Sequence, residues 1–135
     1  MSLSQQFLYV SLGAVLGANA RFGLQLLFSK FSLVTKLSLG SLFLADFPWP
    51  TFFVNVMGSF LIGFILARIE SLSFLTPTAV KTLVVTGFLG SFTTFSAFSM
   101  DSLQLLQSGK TFQATTYVAL SITLGLAAVF VGFRI

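Results

Sequence analysis

The fifteen residues GFLGSFTTFSAFSMD, Gly87 to Asp101, carry the densest chemistry in the chain. Gly87 and Gly90 weaken any helix that contains them. Ser91, Thr93 and Thr94 supply hydroxyls that take up backbone groups freed by a break. Carbonyl oxygens exposed at such a break are ligands for a hard cation such as Na⁺. Phe92, Phe95 and Phe98 recur every three residues and share roughly one face. An aromatic ring has a positive edge. Ring edges, hydroxyls and amide N–H groups together make a weakly electropositive lining without a full charge. Such a lining can hold a small anion and release it again. On periodicity alone, a Phe stripe packed against lipid or neighbouring helices is the stronger explanation.

Other polar residues sit in equally apolar surroundings. Asn55 precedes Gly58, Ser59 and Gly63; its amide offers a donor and an acceptor, either as interhelical glue or in a binding role. Tyr117, Ser121 and Gly125 follow one another at one-turn spacing, so the two hydroxyls extend a polar line or serve packing. Arg21 follows Gly13 and Gly17 at four-residue spacing on one helix face. The glycines suit close helix approach. The arginine suits either snorkelling to the interface or an ion pair.

Several chemistries are excluded. With no Cys and no His, thiol chemistry, the common zinc sites and Ser/His/Asp or Cys/His catalysis are absent. Three acidic residues are too few for a carboxylate metal cage in one subunit. The seven basic residues are scattered singly, so no nucleic-acid surface is expected. Ser108-Gly109-Lys110-Thr111 echoes the end of a phosphate-binding loop, but the upstream glycines are missing. No enzyme is expected.

The elements that must position these residues are membrane helices. Only 7% of the chain is charged, against about 25% in soluble domains. The mean hydropathy is +0.99. A water-exposed surface cannot be built from this composition. Charges divide the 135 residues into four apolar segments, at about 5–29, 51–68, 79–106 and 112–133, in a single domain over 1–135. Each is near the roughly 20 residues a spanning helix needs. They are too uniformly apolar for barrel strands. The fold class is all-α, with four transmembrane helices and the third broken near its middle. Met1 to Gln6 lacks the basic residue of a signal peptide, so the first segment reads as a retained span. The stretch from Phe31 to Trp49 reads as a short interfacial helix or loop, with Pro48 and Pro50 setting the start of the second span.

Orientation is nearly unspecified. Arg68, Lys81 and Arg134 fall on one side; Lys30, Lys36 and Lys110 fall on the other. The positive-inside rule gives almost no preference. Either a small bias is hidden by a misassigned loop, or the protein inserts both ways and two subunits can pair antiparallel about an axis in the membrane plane. Four short helices enclose little space, so a pathway calls for a dimer.

Gly13-x-x-x-Gly-Ala-x-x-Arg21, Thr51-Phe-x-x-Asn55-x-x-Gly58-Ser-Phe and Thr86-Gly-Phe-x-Gly90-x-x-Thr-Thr-Phe-Ser-x-Phe98-Ser follow in order along the chain. Together they resemble the Fluc/CrcB family of fluoride channels, over nearly the whole length; the third motif is the specific one. The resemblance implies a dual-topology homodimer in a bacterial-type inner membrane, with two antiparallel fluoride pores. It implies a structural Na⁺ at the dimer centre, held by the carbonyls of Gly90 and Thr93 and their symmetry mates. Phe95 and Phe98 would present ring edges to fluoride. Asn55, Thr94, Ser96, Tyr117 and Ser121 would line the pore, and Arg21 would have a vestibular or structural role. The chain departs from the family pattern in a longer, more apolar connection between the first two spans and in Pro50 before Thr51. Gly125 stands where a further hydroxyl is expected. Asp101 matches an acidic position of undefined role.

The rival reading is a small proton-coupled multidrug exporter, also built of four helices. That chemistry needs a titratable carboxylate inside the membrane. Only Asp101 lies within a span; Asp46 and Glu70 lie in connections.

Overall fold

The computed structural model describes residues 1–39, 46–69 and 76–135. Among these, four helical stretches are long and apolar enough to cross a membrane: Leu3–Ser29, Trp49–Arg68, Pro77–Gln107 and Thr111–Arg134. The chain is a multi-pass integral membrane protein. Large apolar side chains point outward along these stretches, among them Phe7, Phe112 and Phe130. In a bilayer they face hydrocarbon, which is as apolar as they are.

Helix α1 spans Leu3–Leu39. It continues well past Lys30, so the helix or loop expected to begin at Phe31 is instead the end of α1 as far as Leu39. The physical reason is local: no Gly or Pro interrupts the sequence from Leu24 to Leu39. The remainder of that connection, 40–45, lies outside the described residues. Helix α2 spans Trp49–Arg68, with proline in its first turn and Arg68 in its last, where each suits the helix end it occupies.

The third span is built of several pieces. Thr76 caps α3 (Pro77–Val80), its hydroxyl accepting from the Ala79 N–H at 3.3 Å. The backbone then widens into a π-helical segment over Lys81–Leu89, and the Gly90 N–H reaches back five residues to the Val85 carbonyl. Helix α4 is Gly90–Phe92. Thr93 and Thr94 are extended, at φ −80°, ψ 158° and φ −152°, ψ 118°. Helix α5 runs over Phe95–Gln107 and turns at Gly109, whose φ of +73° suits a glycine. Helix α6 spans Thr111–Arg134.

Packing is close where glycines meet backbone. Helix α2 packs chiefly along α6, and α1 along the π segment. A Cβ built on Gly132 would overlap the Phe60 carbonyl, and one on Gly63 would overlap the Val129 carbonyl. Likewise a Cβ on Gly13 would overlap the Leu83 carbonyl. In lipid there is no hydrophobic drive between helices, so such close van der Waals approach is what holds them. Gly132→Leu should therefore cost about 3 kcal/mol or more by forcing α2 and α6 apart. Gly23→Leu serves as the control, because nothing lies within 4 Å of a Cβ there. Melting temperature and monodispersity in detergent check this: a fall for the first variant and little change for the second.

At one end of the bundle, Phe47, Leu105, Ala114 and Tyr117 form a buried cluster with Phe52 and Phe98 packed against it. Phe47 meets the Tyr117 ring edge-on at 5.4 Å.

Candidate functional site

A cavity of about 400 Å³ opens between α2, the third span and α6. Asn55, Gly58, Ser59 and Ile62 line it from α2; Val85, Leu89, Gly90, Thr93, Thr94, Phe95 and Phe98 line it from the third span; Ser121 and Ile122 line it from α6. None of these side chains is ionised. The polar groups are hydroxyls, one primary amide and backbone.

Asn55 organises the extended residues. Its Nδ2 donates to the Thr94 carbonyl at 3.1 Å, and its Oδ1 accepts the Thr94 N–H at 2.8 Å. The side-chain amide thus pairs with one peptide group as a neighbouring strand would, 39 residues away in sequence. Its second Nδ2 hydrogen is left over. Gly58 makes room for the same feature, since a Cβ there would overlap Thr93 Cγ2. The Thr94 hydroxyl accepts the Ala97 N–H at 3.2 Å and caps α5.

These bonds leave two particular carbonyls without their helical donors. In an α-helix the Gly90 carbonyl accepts from residue 94 and the Thr93 carbonyl from residue 97. Here the Thr94 N–H goes to Asn55 and the Ala97 N–H goes to Thr94 Oγ1. Gly90 and Thr93 are also the two residues to which the family resemblance assigns the cation, and Gly90 is exposed on this subunit. Carbonyl oxygens unclaimed by the helix, with no charged neighbour on the cavity wall, fit Na⁺.

Phe95 is 78% exposed, while Phe98 is half-buried. Their ring centroids are 5.6 Å apart and tilted by 38°. Both sit at the N-terminal end of α5, where the helix dipole is positive. Phe98 also packs on the Tyr117 ring at 5.3 Å.

Of the sequence-selected residues, Asn55, Gly90, Thr93, Thr94, Phe95, Phe98 and Ser121 thus meet at one cavity. Ser96 stands beside it, exposed, its hydroxyl 3.0 Å from that of Thr94. Tyr117 does not line it. That side chain is fully buried, and its hydroxyl donates to Asp101 Oδ2 at 3.4 Å, with the buried Thr51 side chain beside the pair. Arg21 is half-exposed on α1 and does not line the cavity. Asp101 lines a second recess of about 280 Å³, with Asp46, Gln104, Ser108 and Lys110 among its walls; Lys110 pairs with Asp46 at 2.9 Å. Sequence reasoning gave no role to Ser59, Thr51 or Phe47. The first two stand in the Thr51-to-Phe60 motif, so their positions were visible even though their partners were not.

A family model described as CrcB-like protein, Camphor Resistance (CrcB), matches residues 8–133. The fluoride-specific ion channel FluC of Thermus thermophilus is 40% identical over 131 residues, covering 97% of this chain and 94% of that protein. Its namesake from Vibrio cholerae serotype O1 is 38% identical over 126 residues, covering 93% of this chain and 90% of that protein. The one from Rhizobium etli is 45% identical over 89 residues, covering 66% of this chain and 70% of that protein.

Proposed function

The chain belongs to the CrcB family of fluoride-specific ion channels, and on that premise we propose that it conducts fluoride passively out of the cell and so relieves fluoride toxicity. Its relatives are named as channels, which are not enzymes. The observation that carries the reading is the lining of the 400 Å³ cavity: an amide, hydroxyls and the rings of Phe95 and Phe98, with no ionised side chain. Fluoride is small and strongly hydrated, so a pore must replace its water with many donors. A lysine or arginine on the wall would hold the ion too tightly to release it. Hydroxyls, an amide and the positive edges of Phe95 and Phe98 replace water without trapping. The exporter reading loses its footing here, because Asp101 does not line this cavity.

The functional unit is an antiparallel homodimer with two pores. The even division of basic residues between the two sides supports dual insertion. Exposed Phe95 and Gly90 support a partner covering the interrupted third helix. A Na⁺ at the centre of that contact would be held by the Gly90 and Thr93 carbonyls of both subunits. When bound, it supplies a fixed positive charge that ties the two interrupted helices together. Asn55 keeps those carbonyls presented by holding Thr94 in its extended state. The melting temperature should then rise with Na⁺ at constant ionic strength, by the mass action of a ligand on the folded state. N-methylglucamine should have no such effect, and equal melting in both media counts against the ion.

The function itself is tested with purified protein in fluoride-loaded liposomes. Addition of a K⁺ ionophore should release fluoride rapidly, while chloride-loaded liposomes stay loaded. Retention of fluoride by correctly folded protein would sink the channel reading.

A further inference from the structure

A hydroxyl inside a helix usually returns to its own chain, because the carbonyl one turn back lies within reach. The half-buried hydroxyls of this molecule mostly do so. Thr82 donates to the Thr78 carbonyl, Thr93 to Leu89, Ser102 to Phe98 and Thr116 to Phe112, at 2.7–2.9 Å. Ser91 bonds to the Ala14 and Phe88 carbonyls, and Thr94 caps α5. Of the four side-chain hydroxyls that line the cavity, those of Thr93 and Thr94 are bonded, while those of Ser59 and Ser121 make no hydrogen bond to a described residue. Both line the same cavity, Ser59 from α2 and Ser121 from α6. A polar group held unpaired inside an apolar bundle is costly. That cost is removed when the cavity holds something that accepts a hydrogen bond.

The place of Ser59 is more specific than that. A Cβ built on Gly125 would lie 3.7 Å from Ser59 Oγ. Gly125 is one turn beyond Ser121 on α6. Where α6 offers only bare backbone, α2 puts a hydroxyl across the gap.

We propose that Ser59 contacts the permeating fluoride: its hydroxyl is the donor next after Ser121, in the position that Gly125 leaves open on α6. This rests on the channel reading and adds to it a residue from a different helix. Ser59 is then a wall residue of the pathway, whose hydroxyl, and not its volume, sets the rate.

Fluoride release from liposomes after addition of a K⁺ ionophore tests this with four proteins: wild type, Ser59→Ala, Ser59→Thr and Ser59→Ala with Gly125→Ser. Ser59→Ala is expected to slow release at least tenfold with an unchanged melting temperature. Ser59→Thr keeps the hydroxyl and should release nearly as fast as wild type. Gly125→Ser in the alanine background returns a hydroxyl from the opposite helix and should recover most of the rate, which a packing role for Ser59 would not give. Wild-type release with Ser59→Ala equally fast overturns the assignment alone. A slow alanine variant that neither Thr nor Gly125→Ser recovers also overturns it, in favour of packing. Wild-type protein that releases no fluoride overturns the channel reading and this assignment with it.

Discussion

Asn55→Ala should abolish fluoride release and destabilise the fold together. The substitution strips the Thr94 N–H and the Thr94 carbonyl of their partners in one step. Each buried polar group left unsatisfied costs about 1–3 kcal/mol, so the pair costs roughly 2–6 kcal/mol. Water cannot repair the loss inside an apolar bundle as it would at a soluble surface. Thr94 would leave its extended state, and with it the α5 cap and the presentation of the Gly90 and Thr93 carbonyls. Asn55→Asp should do no better. It keeps an acceptor for the N–H but sets an oxygen against the Thr94 carbonyl. The measurement is thermal melting in detergent beside liposome release. A stable, conducting Asn55→Ala protein would show that Thr94 is held by something other than this amide.

The double variant Phe95→Leu, Phe98→Leu should reduce fluoride release about 100-fold or more. The substitution keeps much of the apolar volume and removes both ring edges. If each edge contact equals the upper end of an aromatic pair, about 1.5 kcal/mol, each loss is near a factor of ten. The single variants separate function from folding. Phe95 is 78% exposed on its subunit, so Phe95→Leu should slow release with little change in subunit stability. Phe98 packs on Tyr117, so Phe98→Leu should lower both. Wild-type release from the double variant would remove the rings from the pathway.

The four spanning stretches were legible in the sequence because hydropathy is a local property. Lipid demands a run of apolar residues whatever the neighbouring helix does. The start of α2 at the Pro48-Trp49-Pro50 sequence was legible for the same reason, since proline acts on its own backbone. The end of α1 was not. A basic residue, Lys30, was read as a boundary, but a charge ends the apolar run without ending the helix, which continues to Leu39.

Seven of the residues singled out in the sequence meet at the cavity, and they stood out because polar side chains in an apolar span are few and the Thr86-to-Ser99 motif is specific. What each one does was decided only by tertiary structure. Asn55 read as glue or, slightly ahead, as a binding residue; the fold spends it on Thr94, 39 residues away. Tyr117 and Ser121 read as one hydroxyl track. The fold turns Tyr117 to Asp101 and leaves Ser121 on the cavity wall without a partner. Ser59 carried no signal beyond its place in a motif, yet it is the other hydroxyl on the cavity wall that no described residue satisfies. A serine in a helix always has a carbonyl of its own chain within reach. Whether it takes that bond or faces a cavity depends on what the neighbouring helix puts in front of it. Here that is set by how α2 and α6 pack against each other, a property of the assembled bundle and of no segment read alone.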